Sequence, residues 1–195
     1  MKYIFGLATL FLIGCGEINT TEGDAFFENG DYEQSAKAYT DLLKTDPENT
    51  LFLYNRGRSY EELGILNKAI ADFERIIKID PKHINSFLSL SKIAYEQKRY
   101  SQALLHAGTA VKQNENSAKA HFLSARAAHQ LGYADQALEF YNNAISIDKS
   151  YGEAFLYRGA LKVGMNRFNS ACDDFKRARA LDTEGTGSAI KDYCS

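Results

Sequence analysis

The stretch "AFFENGDYEQSAKAYTDLLKTDPE" at residues 25–48 returns as "SYEELGILNKAIADFERIIKIDPK" at residues 59–82, an offset of 34. The offset continues without insertion, so windows 16–49, 50–83, 84–117, 118–151 and 152–185 tile five repeats along a chain of 195 residues. No feature constrains the fold more. A unit of this size cannot bury its apolar face alone, and stacked neighbours must complete the core.

The columns read down the windows give each unit its shape. Gly23, Gly57, Ser91, Ala125 and Gly159 are small, as are Ser35, Ala69, Ala103, Ala137 and Ala171. Two such columns on facing helices let backbones approach closely. Tyr39, Phe73, Tyr141 and Phe175 form a third column, with Ala107 as its exception, and are expected to fill the space between successive pairs. Asp46, Asp80, Asn114, Asp148 and Asp182 precede each next helix, where a short acceptor caps free amides. Gly30, Gly64, Gly132 and Asn166 end the first helix of their windows in residues that accept a left-handed backbone, and Lys98 departs from the pattern. Each window reads as helix, tight turn, helix.

These columns resemble the tetratricopeptide repeat over nearly the whole chain beyond the leader, including Pro47 and Pro81 after the second helix. Glu115, Lys149 and Thr183 replace that proline later, and the first-helix aromatic, Phe87 and Phe155, becomes Asn19 and His121 elsewhere. The resemblance implies an all-α, right-handed α-solenoid of five helix pairs over residues 22–185.

Lys2 followed by the apolar run Ile4 to Ile13 has the layout of a secretory signal peptide, too short to span a bilayer. It ends Leu12-Ile13-Gly14-Cys15, which resembles the lipobox of bacterial lipoproteins. That resemblance implies a leader over residues 1–14 and a diacylglycerol on the Cys15 thiol; a buried cysteine in an ordinary helix is the alternative. Two or three acyl chains, at about 0.8 kcal/mol per buried methylene, anchor a protein firmly. Residues 15–21 are then lipid site and tether, reaching roughly 20 Å. Thr21 with Asp24 is expected to cap the first, shortened helix. Gly16 after the cysteine resembles outer-membrane sorting in enteric bacteria, which favours the outer over the inner membrane of a bacterial cell envelope.

Cys172 stands in the column of Ala36, Ile70, Leu104 and Leu138, which faces the following repeat, and no repeat follows residue 185. Residues 186–195 instead offer a short capping helix with Ile190 and Cys194 on one face. A Cys172–Cys194 disulfide would fix that cap, contributing about 3 kcal/mol by loop closure in an exported compartment. Two free thiols are the alternative.

Chemistry is sparse. The formal charge of −2, or −3 without Lys2, supplies no concentrated basic face, so nucleic acid is not expected as a partner. His83, His106, His121 and His129 lack metal-ligand spacing, and no P-loop or G-x-S-x-G elbow occurs. No catalytic set, metal or cofactor beyond the Cys15 lipid is expected, and the protein reads as a non-enzyme.

In tetratricopeptide proteins the first helices line a concave face that holds peptides or partner helices. There Tyr54 and Arg58, Leu88, Lys92 and Tyr95, and Phe122 and Arg126 share a stripe at i, i+4, i+7 spacing. Arg58, Lys92 and Arg126 form a basic ladder in steps of roughly 10 Å. It suits an acidic or carboxylate-bearing peptide, although solvation beside Glu61, Glu62 and Glu96 is an equal reading. Asn85 and Ser89 stand where the carboxylate clamp of chaperone-binding relatives wants basic residues. The expectation is an envelope adaptor that holds a protein partner, with envelope-complex assembly as one such role. A glycan stacked on Tyr54, Tyr95 and Phe122 is the alternative ligand.

Overall fold

The structure, a computed structural model, describes residues 21–194. The leader, Cys15 and the start of the tether lie outside that range. Helices α1 (Thr21–Glu28) and α2 (Tyr32–Thr45) form the first pair, α3 (Thr50–Glu62) and α4 (Leu66–Ile79) the second, and α5 (Ile84–Glu96) and α6 (Tyr100–Gln113) the third. The fourth pair is α7 (Ala118–Gln130) with α8 (Ala134–Ile147), and the fifth α9 (Gly152–Gly164) with α10 (Phe168–Ala180). Helix α11 (Thr186–Tyr193) follows and packs on α9 and α10. Each helix touches its partner and the next pair, so the molecule is an all-α solenoid.

Close approach inside a pair depends on the small columns. A Cβ added at Gly23 would stand 2.7 Å from Tyr39 Cε2, at Gly57 2.7 Å from Phe73 Cε1, and at Gly159 2.5 Å from Phe175 Cε1. The aromatic column therefore fills the space within its own pair, over the small residue, and not chiefly between pairs as its spacing suggests. Tyr39, Phe73, Tyr141 and Phe175 are essentially inaccessible. In the third pair the ring is Ala107 and the facing residue is Ser91, whose hydroxyl donates to the Ala103 carbonyl at 2.9 Å.

The turns correct a second expectation. Asp46, Asp80, Asn114 and Asp148 are C-caps of the second helices, not N-caps of the next. Asp80 Oδ1 accepts from the amide of Lys82, Asn114 Oδ1 from Asn116 and Asp148 Oδ1 from Ser150, each two residues on. A side chain reaching i+2 closes a turn before the helix begins. Helix capping falls three residues later, where Asn49 accepts from Leu51 and Phe52, His83 Nδ1 from Ser86, and Ser117 from Ala120. Lys98 takes the left-handed conformation despite its side chain, at φ 60°, beside φ 70° at Gly64 and 78° at Gly132. Asp24 turns its carboxylate to Tyr39 and Asn55 across the first two repeats, away from the capping role.

Candidate functional site

Contacts on the face formed by α1, α3, α5, α7 and α9 do not run at the repeat step of 34. The Arg58 guanidinium lies 4.2 Å from the centroid of the Phe27 ring, Lys92 Nζ 2.8 Å from Glu61 Oε1, and the Arg126 guanidinium 4.2 Å from the Tyr95 ring. All three pairs are 31 apart in sequence, and Asn55 donates to Asp24 at the same separation. A step of 31 is the repeat less about one helical turn. Neighbouring first helices are therefore staggered, and each cation reaches the preceding repeat.

The three cations expected to form a ladder are each engaged differently. Lys92 is paired, and the Glu61 carboxylate accepting its hydrogen bond holds the ammonium above the ordinary lysine range. Lys92 is half exposed, so the pair contributes at most about 1 kcal/mol. Arg58 stands over Phe27 in a pocket of about 340 Å³ with Asp24, Glu28 and Asn55. Arg126 packs against two tyrosines: the Tyr95 ring lies 4.2 Å away and the Tyr157 ring 4.9 Å, the latter 31 residues further on.

Of the seven residues predicted to line a single stripe, Lys92, Tyr95, Phe122 and Arg126 converge on one groove of about 480 Å³. Tyr54 and Arg58 lie outside it. Leu88, 7% exposed, belongs to the core and is unavailable to a ligand. Phe122 is only 3% exposed, with its ring centroid 4.8 Å from that of Tyr151 and 5.7 Å from that of Tyr157, so it forms the floor of the groove and no free stacking platform. Tyr54 is half-buried between Phe73 and His83, and burial pushes its phenol pKa up. The three rings proposed to stack a sugar thus make no common exposed surface. Residues missed include Lys98, Lys119, Tyr151 and Glu153 in the groove and Tyr157 beside Arg126, and comparison at a 31-residue step would have found the last.

At the far end Cys172 and Cys194 are joined in a disulfide, with Cα atoms 5.5 Å apart. Tyr193 sets its ring 6.2 Å from that of Phe175, and Thr186 is buried. His121 is packed in the core with Nε2 3.0 Å from the Glu115 carbonyl. Among the described residues no three His, Cys, Asp or Glu side chains gather as a metal site. No described helix is long and apolar enough to cross a membrane.

The profile of the Tetratricopeptide repeat family matches residues 20–84 and 88–153. The chain is a tetratricopeptide repeat protein. It is 23% identical over 184 residues to the DnaJ homolog subfamily C member 7 homolog of Dictyostelium discoideum, covering 86% of this chain and 34% of that protein. Against Hsp70-Hsp90 organizing protein 3 of Arabidopsis thaliana identity is 28% over 83 residues, 43% of this chain and 15% of the other. The chain thus spans about a third or less of these relatives. The crystal structure of MamA superposes with a TM-score of 0.74 at 25% identity, over 82% of this chain and 94% of that one. Family and fold are those of a protein–protein interaction scaffold.

Proposed function

We propose that this tetratricopeptide protein is a lipid-anchored adaptor of a bacterial cell envelope, holding a segment of a protein partner in the groove between α5, α7 and α9. The observation that carries the reading is the convergence of Lys92, Tyr95 and Arg126 on one open groove with an aromatic floor. Aromatic surface with a few fixed charges is what peptide-binding sites use for affinity and register. Hsp70-Hsp90 organizing protein 3, a relative, is named for bringing two other proteins together. The lipobox-like Leu12-Ile13-Gly14-Cys15 supports the anchor, with outer-membrane attachment through a lipid on Cys15.

In-cell photo-crosslinking from position 92, in the full chain with Cys15 intact, tests the partner. One dominant envelope protein is expected, and its adduct is expected to fall on reversal of Arg126. Diffuse background alone would overturn the groove reading. Labelling with radioactive palmitate tests the anchor: incorporation in the wild type and none in Cys15→Ser is expected, and equal incorporation would sink it.

A further inference from the structure

We infer that Arg126 is the anchoring residue of an anion receptor, and that the partner segment seated in the groove is acidic, with a carboxylate bound at the guanidinium edge. This rests on the groove reading above and names the chemistry of its ligand.

The first observation is the state of the guanidinium. Three rings pack around it, with centroids 4.2 Å (Tyr95), 4.9 Å (Tyr157) and 5.7 Å (Phe122) away. Among the described residues no carboxylate forms an ion pair with it, and its Nε is buried without a partner in the protein. The other two partly buried arginines of the first helices are saturated: Arg56 is bound to Asp72 and Arg158 to Asp174, each by two bonds. An arginine packed among three rings loses little further freedom when it binds, and its two terminal nitrogens can each donate to one of two carboxylate oxygens. Among the described residues no protein acceptor takes up the terminal nitrogens, so a ligand that accepts from them is selected over one that does not.

The second observation is the distribution of charge. Lys92, Lys98, Lys119 and Arg126 line the groove against Glu96 and Glu153, an excess of two positive charges that becomes one when Glu61, the partner of Lys92, is included. The pocket at Arg58 has the opposite balance, one arginine against Asp24 and Glu28. Two pockets on one face therefore differ in sign, and an acidic segment is directed to the Arg126 end. Lys92 can serve the ligand only by leaving Glu61, whereas Arg126 is already free. That is why Arg126, and not the lysine at the middle of the ladder, is the anchor.

The test uses arginine Nε–Hε NMR signals of the full soluble chain, with residues 1–15 replaced by a cleavable export signal, titrated with acetyl-hexaglutamate amide and, separately, sodium phosphate. The peptide is expected to shift the Arg126 signal saturably while leaving Arg56 and Arg158 in place. Arg126→Gln, checked for an unchanged far-ultraviolet spectrum, is expected to weaken peptide binding at least tenfold, and Arg126→Lys to recover only part of it. Phosphate binding tighter than the peptide would overturn the carboxylate assignment. An unmoved Arg126 signal at millimolar peptide, or equal binding by Arg126→Gln, would overturn the receptor itself. If position 92 still captures one envelope protein in that event, the adaptor reading survives and only its chemistry fails.

Discussion

Asp72 receives two parallel hydrogen bonds from Arg56, Nε to Oδ2 at 2.8 Å and Nη2 to Oδ1 at 2.7 Å. The fifth repeat duplicates the lock in Arg158 and Asp174, at 2.9 and 2.6 Å. In between, the same columns hold Leu90 with His106 and Ser124 with Phe140, so both partners change together. Asp72→Ala strands a guanidinium that is only 18% exposed and is expected to cost about 3 kcal/mol. The double change Arg56→Leu, Asp72→His, copying the third repeat, is expected to cost less than Asp72→Ala alone. Urea unfolding of both variants beside the wild type decides it; a double change that costs as much as Asp72→Ala or more would overturn the coupled lock.

Gly57→Ala tests the ring seat. Helix propensity alone favours alanine by about 1 kcal/mol, but the new Cβ meets Phe73, whose ring has no exposed surface to retreat into. A net loss of about 1–3 kcal/mol is expected from overpacking. Phe73→Leu in the same chain should recover part of it. A more stable Gly57→Ala protein would refute the tight seat.

Lys98 bears a left-handed backbone that glycine adopts freely. Lys98→Gly is expected to gain about 1 kcal/mol, seen as a raised denaturation midpoint at unchanged slope. Gly132→Lys, the converse change at the matching turn, is expected to lose a similar amount. Equal midpoints for all three proteins would contradict the assigned turn strain.

Stability should fall as the medium becomes mildly acidic. Burial lowers the pKa values of His83, His106 and His129, with Asp80 opposing it at His83, and Glu74 opposing and Arg99 adding to it at His106. The unfolded chain therefore takes up protons first, so the contribution is complete above about 6.5 and is lost as pH drops through the lower folded values. At His83 protonation also removes the Nδ1 acceptor that caps α5. Melting temperature is expected to be level from pH 7 to 8 and to decline towards pH 5.5. His83→Asn, which borrows the cap of Asn49, should decline less; a parallel decline would remove His83 from the account.

The terminal disulfide predicts a thiol count. The oxidised, exported protein is expected to react with no thiol reagent at Cys172 or Cys194 until reduced, and Cys194→Ser to lose about 3 kcal/mol together with amide protection in α11. Quantitative labelling of both cysteines without reductant would dispose of the bridge.

Much of this was legible in the sequence because a fixed period of 34 forces equivalent residues into equivalent places. The buried small and aromatic columns, the left-handed turns and the resemblance to the tetratricopeptide family all follow from it. What stayed hidden depends on offsets that the period does not contain. The inner-face contacts step by 31 because neighbouring helices are staggered, which only three dimensions set. Leu88 and Phe122 shared a stripe with Lys92 and Arg126, yet both pack into the core, where Phe122 also floors the groove. The Asp/Asn column precedes each helix as a cap residue does, but at Asp80, Asn114 and Asp148 the side chain is spent on the turn two residues on, and the caps are Asn49, His83 and Ser117.

Helix α11 covers the last pair of the stack and is tied there covalently. Head-to-tail association of solenoids requires that surface, because it sets the end of one copy against the beginning of the next. Stacking through the last pair would therefore first have to displace α11, and the Cys172–Cys194 bridge opposes that step.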